Sequence, residues 1–209
     1  MVSTVVGDQT GSPCIAYFFP AEKEWQQEEE CGCMVVLRYW QLFYNEQHTD
    51  LRGKEARAQG VREAIFTAGE RADKFPHVRA LLDLWGFDSY VEYIYTVCEL
   101  GFLEGLIPVL DVGFLSPAEM RRVSEVAALF KIMLDSVNES RFDQVYPESP
   151  GKKLELRLKL LEWASKLKIP VVTGIMIGIG ESKGHRKDML NQIAQLHKDH
   201  GMVHEVVLQ

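Results

Sequence analysis

What constrains this chain most is a rhythm that begins near residue 53: short apolar runs alternate with segments of helical spacing. The clearest run is residues 171–177 (VVTGIMI), entered from Pro170 and apolar at nearly every position. A strand with one wet face alternates apolar and polar residues, whereas a near-continuous run needs cover on both faces. Helices between such strands provide that cover, which makes the sheet parallel. The other strand candidates are residues 62–67 (REAIFT), 105–110 (GLIPVL) and 204–208. Residues 127–134 (AALFKIML) fit a strand or a helix. The expected strands therefore lie near 63–67, 106–110, 129–134, 171–177 and 204–208, with their C-terminal ends on one edge.

The helices between them carry their own signals. Val78, Leu81, Leu82 and Trp85 share a side of a helix over residues 75–85. Ser116, Pro117 and Glu119 form a helix start: a capping serine, a proline suited to the first position and a carboxylate three residues on. Over residues 152–168, Leu154, Leu158 and Leu161 share a face, and Glu155/Lys159 and Glu162/Lys166 are favourable i, i+4 pairs. Residues 91–100 and 188–200 are the other helical segments, and Cys98 on the first reads as a core thiol. The expected fold class is α/β, a partial parallel β/α barrel over residues 54–209. A complete eight-stranded barrel typically takes about 250 residues. A partial barrel, an open sheet and a piece of a longer chain all fit the five strands.

Residues 1–53 form a divergent N-terminal segment outside that rhythm. Residues 22–30 are acidic and Gln-rich, and residues 34–44 (MVVLRYWQLFY) are strongly aromatic. The aromatic stretch needs a partner surface, and the expectation is an exposed or poorly packed patch.

Bulk properties narrow the function classes. A net charge of −7 disfavours a nucleic-acid partner, which would need clustered Lys and Arg. No apolar run approaches the ~20 residues that span a bilayer, so no membrane partner is expected. Residues 1–14 lack the charged and apolar regions of a secretory signal, so a cytoplasmic location is expected. Cys14, Cys31, Cys33 and Cys98 are too few for a disulfide framework in a chain of this length.

Three segments go further. Residues 65–71 end a strand in Thr67-Ala68-Gly69-Glu70-Arg71, where glycine admits a ligand close to the backbone and a carboxylate can hold an ammonium group. Taken alone, the same string fits a turn with a surface Glu–Arg pair. Residues 173–181 (TGIMIGIGE) place Gly174, Met176, Gly178 and Glu181 in a Gly-x-Ile/Met-x-Gly-x-x-Glu pattern, which alone also fits a glycine-rich strand end packed on a helix. Residues 204–209 (HEVVLQ) follow as a further strand. In colinear order these segments resemble the second, fifth and sixth strands of radical S-adenosylmethionine enzymes of the deazaflavin (F0) synthase type. Two weaker matches join them: residues 149–152 (SPGK) with Arg157, and Met133-Leu134-Asp135, where the family has Met-Leu-Glu. The string Thr67-x-Gly69-Glu70-Arg71 favours the deazaflavin branch over related enzymes of menaquinone synthesis.

The resemblance implies a β/α barrel of the radical type that completes the 5-deazaflavin ring from a tyrosine–diaminouracil adduct, releasing ammonia. It implies S-adenosylmethionine and a [4Fe–4S] cluster as cofactors, and a second radical subunit or domain that makes the adduct. It assigns cofactor contacts to Gly69, Glu70, Asp135, Gly174, Met176, Gly178 and Glu181, with Gly69 and Glu70 on the methionine part and residues 174–181 along the adenosine. No residue receives a catalytic role. The chain departs from the family at the cluster. The family pattern Cys-x3-Cys-x2-Cys supplies three thiolates. Residues 10–19 match it loosely, with Cys14 on the middle cysteine and Thr10 and Tyr17 on the other two. Cys14 is thus the one metal ligand the resemblance offers, with Cys31 and Cys33 as an unusual alternative set. The third strand also departs, reading Pro108-Val109-Leu110-Asp111 where the family has a polar run. These departures imply that the isolated chain makes no deazaflavin. The alternative reading is a truncated or degenerate homologue without the cluster site. His77, His197, His200 and His204 read as surface histidines rather than ligands.

Overall fold

The computed structural model describes residues 62–68, 70–135 and 150–209, together with the backbone of two short strands near the N-terminus. Gly69, Cys31, Cys33 and the expected aromatic patch at residues 34–44 lie outside the described residues, as do the side chains of Cys14 and His77. The chain divides into two compact units. One comprises residues 1–112 with 122–128, the other residues 113–121 with 129–209.

In the first unit, β1 (Thr4–Gly7) and β2 (Pro13–Ala16) form an antiparallel pair with Val6 opposite Cys14. Strand β2 then runs parallel to β3 (Glu63–Thr67), and β3 runs parallel to β4 (Ile107–Asp111), with Phe66 opposite Leu110. The crossover from β3 to β4 carries two helices. Helix α1 (Pro76–Leu84) starts on a proline after the extended Phe75 and buries Val78 and Leu82, one turn apart. Helix α2 (Tyr90–Leu103) is capped by Ser89, whose Oγ accepts from the Glu92 N–H at 3.2 Å. Its buried stripe, Tyr90, Tyr93, Ile94, Val97, Cys98 and Gly101, follows the helical period. Gly101 ends that stripe for a packing reason: a Cβ there would lie 2.7 Å from Cζ of Phe66.

Helix α3 (Pro117–Val123) opens in the second unit. The expected capping box is present: the Glu119 N–H donates to Ser116 Oγ at 3.3 Å, and the Ser116 N–H donates to Glu119 Oε2 at 2.7 Å. Strands β5 (Leu129–Lys131), β6 (Val171–Ile175) and β7 (Val203–Leu208) are parallel, with β6 in the middle. Helix α4 (Leu154–Lys166) buries Leu160, Leu161 and Ala164 and carries the two expected surface pairs, Glu155–Lys159 and Glu162–Lys166, each at 2.6 Å. Helix α5 (Lys183–His200) connects β6 to β7 and stops at Gly201, whose φ of 66° closes the helix.

The fold class is α/β, and the alternation of parallel strands and helices is that of a partial β/α barrel. Within each unit the parallel strands share a C-terminal edge. The strands fall where expected to within a residue or two, except that β5 as a regular strand is short. Its ladder nevertheless continues: the Ile132 N–H donates to Val172 O at 2.8 Å and the Leu134 N–H to Gly174 O at 3.0 Å. The ambiguous segment at 127–134 is thus extended. Helix α5 begins at Lys183, five residues before the expected start at 188.

Gly101→Ala tests the packing of α2 on β3. On an exposed helix this change would stabilise by about 0.8–1.0 kcal/mol through propensity. Here the new methyl meets the buried ring of Phe66, and overpacking of that kind costs about 1–3 kcal/mol. Urea unfolding is expected to show a net loss of stability; a gain would mean that the ring moves aside freely.

Candidate functional site

In the first unit the site residues follow β3. The Ala68 N–H donates to Asp111 O at 2.9 Å, which extends the β3–β4 ladder one step beyond the strand. Glu70 follows, half-buried, at the C-terminal end of β3 where the resemblance places it. Arg71 then takes a left-handed backbone with φ of 50°, unusual for a residue with a side chain. Two contacts hold it there. Its guanidinium pairs with Asp73 Oδ2 at 2.6 Å, and its carbonyl accepts from the Lys74 N–H at 3.0 Å. The hydroxyl of Tyr90 is buried, and that burial, with the charge of Asp73, pushes its pKa well above the usual phenol value, while Arg71 opposes. The turn that presents Glu70 is therefore a braced structure, and Asp73 is a participant that sequence patterning does not reveal.

In the second unit the site residues follow β5 and β6. Asp135 comes directly after the extended ladder of β5. It is 5% exposed with φ of 44°, and its Oδ2 pairs with Lys152 Nζ at 3.0 Å. Its Oδ1 is buried without a hydrogen-bond partner. Lys152 closes a 3-10 turn, Pro150–Lys152, and Arg157 lies buried in the first turn of α4.

The glycine-rich segment divides into parts with different jobs. A Cβ on Gly174 would lie 1.9 Å from the carbonyl oxygen of Val207, so this glycine is required by the approach of β7. The close packing considered for this segment is real, but it is made against a strand rather than a helix. Thr173 is fully buried, and its hydroxyl donates to Ile132 O at 2.7 Å, tying β6 to the end of β5. Met176, half-buried, starts the loop after β6. Gly178 has φ of 91° and open space where a Cβ would stand, so it is a position in this segment at which a ligand can approach the backbone.

Glu181 turns back into that loop. Both its carboxylate oxygens accept from the Gly178 N–H, at 2.9 and 3.1 Å. Oε2 also accepts from the Ile179 N–H at 2.9 Å, and Oε1 pairs with Arg186 at 2.6 Å. The backbone N–H groups of Gly178 and of Glu181 itself, aided by Arg186 and opposed by desolvation, hold its pKa down from 4.5 to about 2. A carboxylate so filled shapes the loop and has little left to offer a ligand. Ser182 then caps α5, its Oγ accepting from the His185 N–H at 3.2 Å, with the His185 ring accepting from the Ser182 N–H in return at 3.5 Å. The sequence signal for this start was Ser182-x-x-His185, a capping box with histidine in the usual place of Glu or Gln.

Among the described residues no group of three His, Cys, Asp or Glu side chains could hold a metal. Cys98 is buried in α2, and burial pushes its thiol up to about 12, which keeps it protonated. Cys14 lies within strand β2 opposite Val6. His197, His200 and His204 are exposed, as expected for surface histidines.

No family model matches the chain. Curated proteins do. The 7,8-didemethyl-8-hydroxy-5-deazariboflavin synthase of Methanothermobacter thermautotrophicus is 37% identical over 163 residues, 77% of this chain and 50% of that protein. The synthase of the same name from Methanococcoides burtonii is 38% identical over 158 residues, 76% of this chain and 46% of its own length. That of Methanococcus aeolicus is 36% identical over 181 residues, 86% of this chain and 51% of its own length. The chain is a homologue of these deazaflavin synthases along that stretch, and the resemblance carried by its motifs is confirmed. It spans about half the length of the curated relatives it matches.

The Glu181 strut has a pH signature. A carboxyl whose pKa is depressed in the folded state contributes stability that is full above its unfolded value, here 4.5, and that fades as pH falls toward about 2. Glu181→Gln is therefore expected to lower the melting temperature at neutral pH. Its deficit relative to the unsubstituted protein should shrink as pH falls from 4.5 to 2. Melting curves by circular dichroism that stay parallel across that window would refute the strut.

Proposed function

We propose that this chain carries the S-adenosylmethionine-holding part of an F0 synthase-like β/α barrel, in a reaction that completes the deazaflavin ring and releases ammonia. The observation that carries the proposal is the colinear identity of 36–38% to proteins bearing that one name, over most of the chain. By the same resemblance, the substrate is the tyrosine–diaminouracil adduct, and a second radical subunit or domain supplies it. A cytoplasmic location goes with that role.

The cofactor residues fit S-adenosylmethionine in part. Asp135 presents a buried anionic oxygen without a donor, which suits a hydroxyl of the ribose. Gly178 offers backbone with open space beside it, which suits the flat face of an adenine. Met176 stands at the head of the same loop as an adaptable apolar contact. Glu70 is the residue the resemblance assigns to the amino group, and Gly69 is its neighbour in that motif. Glu181 and Gly174 serve through the shape of the loop and the seating of β6 on β7. Held by Asp135, Gly178, Met176 and Glu70, S-adenosylmethionine would supply radical chemistry for hydrogen abstraction once an external electron donor reduced it. The iron–sulfur cluster fits less well. The described residues contain no thiolate set, and the sequence holds one cysteine at the matching positions, so no step is assigned to residues of this chain through the cluster.

Two measurements test this reading. Calorimetric titration of the full chain with S-adenosylmethionine is expected to show binding, and Asp135→Asn is expected to weaken it by roughly tenfold, the scale of one hydrogen bond to a charged group. Absence of binding, or an Asp135→Asn protein that binds equally well, would count against the assignment. Anaerobic iron–sulfur reconstitution separates binding from turnover. The chain is expected to hold the cofactor without retaining iron. Retention of about four irons per chain, with 5′-deoxyadenosine formed on reduction, would instead point to Cys14, Cys31 and Cys33 as the ligands.

A further inference from the structure

Asp135 and Lys152 form a pair whose geometry asks for a third member. The carboxylate of Asp135 is buried, and the two oxygens are treated differently. Oδ2 receives the Lys152 ammonium at 3.0 Å, while Oδ1 is enclosed without a donor. Lys152 is a third exposed, so its ammonium sits at the rim while the carboxylate lies beneath. Asp135 also holds a left-handed backbone, φ 44°, a conformation that residues with a Cβ adopt seldom. Among the described residues, the side-chain contact seen at Asp135 is its ion pair with Lys152. The departure from the family is relevant as well. Asp in place of Glu shortens the acid by one methylene, so a fixed orientation matters more for whatever it contacts.

We infer that Lys152 is a positioning residue. It fixes the plane of the Asp135 carboxylate by occupying Oδ2 and so leaves Oδ1 aimed at a hydroxyl donor of the bound nucleoside. The inference rests on the proposed function, because the hydroxyl is that of S-adenosylmethionine. It goes beyond that reading by assigning Lys152 a role that acts through Asp135. Three features of the pair support it. Lys is a compact point charge with rotatable donors, which suits single-oxygen contact better than the two-oxygen fork of Arg. Lys152 ends a 3-10 turn whose backbone leads straight into α4, so the base of its side chain is anchored. Finally, a buried carboxylate with one oxygen satisfied and one enclosed without a donor is costly to maintain without a ligand.

The test uses adenosine and 2′,3′-dideoxyadenosine as probes alongside S-adenosylmethionine, titrated into the full chain. The unsubstituted protein should prefer adenosine to the dideoxy form by roughly tenfold. In Lys152→Gln that preference should collapse to the level of Asp135→Asn, while affinity for the dideoxy form changes little. Lys152→Arg should keep only part of the preference, because its fork engages both carboxylate oxygens, and Lys152→Gln/Asp135→Asn should be no worse than Asp135→Asn alone, the non-additivity expected of groups that act as one. A general structural role would weaken both nucleosides alike and would overturn the inference. So would a Lys152→Gln protein with the original preference intact. Loss of all nucleoside binding in the unsubstituted protein is a different result: it overturns the proposed function and takes this inference with it. Lys152→Met, which keeps the aliphatic stem and removes the ammonium, provides the same reading if Lys152→Gln does not fold: the preference should collapse in it as well.

Discussion

Strand β6 is covered on both faces and bonded on both edges, and the second unit is arranged around that fact. All five of its residues are buried, including Thr173 and Gly174. It runs between β5 on one side and β7 on the other, so each backbone polar group must find a partner in a neighbouring strand. Parallel pairing allows this only when helices carry the chain back across the sheet, which is what α4 and α5 do. The two non-apolar residues within the strand are accommodated by particular contacts. Thr173 donates its hydroxyl to the Ile132 carbonyl, and Gly174 gives up a side chain so that the Val207 backbone can approach. Either feature exchanged for a larger apolar group would disturb a neighbour that is itself fixed in the sheet.

Once β6 is set, the groups beyond its C-terminal end inherit their positions. The Leu134 N–H donates to Gly174 O, which carries β5 forward and delivers Asp135 at the end of the ladder. On the other side, Gln209 bonds to two residues past β7: the Ile177 N–H donates to Gln209 O at 2.7 Å, and the Gln209 N–H donates to Ile175 O at 3.0 Å. The loop after Ile177 therefore starts from a fixed point. Glu181 then closes it from below, with Arg186 of α5 attached to the same carboxylate. Strand pairing, loop shape and helix start form a continuous series of bonds in the second unit.

How much of this was legible in the sequence depends on the range of each interaction. Strand positions were readable because burial pattern is a local compositional property: residues 171–175 are buried on both faces, and residues 63–67 alternate buried and half-buried positions. The Ser116 and Glu119 capping box was readable because its partners are three residues apart. The start of α5 was missed because its first turn, Lys183-Gly184-His185-Arg186, contains no apolar residue, leaving only the cap as a signal. The reason for Gly174 could not be read at all, since it depends on Val207, 33 positions away in a strand that pairs only in the fold. The partner of Asp135 was hidden for the same reason, since Lys152 lies 17 positions away; the brace on Arg71 comes from Asp73 only two positions on, and it was hidden because no capping or periodic pattern marks that spacing.

The two acidic residues of the second unit show why a motif does not by itself assign a ligand. Glu181 and Asp135 were read from the sequence as equivalent candidates, each a carboxylate at the end of a strand. Their surroundings separate them. Glu181 accepts from two backbone N–H groups of its own loop and a guanidinium, so its lone pairs are engaged before any ligand arrives. Asp135 has one oxygen engaged and one enclosed without a donor. A saturated carboxylate stabilises the fold whether or not a ligand binds, and a partly satisfied one gains its missing hydrogen bond only on binding. The first kind of residue sets the shape of a site, and the second kind supplies its affinity. In the proposed site, that criterion gives Gly178 and Asp135 to the ligand and leaves Gly174, Thr173, Glu181 and Lys152 to hold them in place.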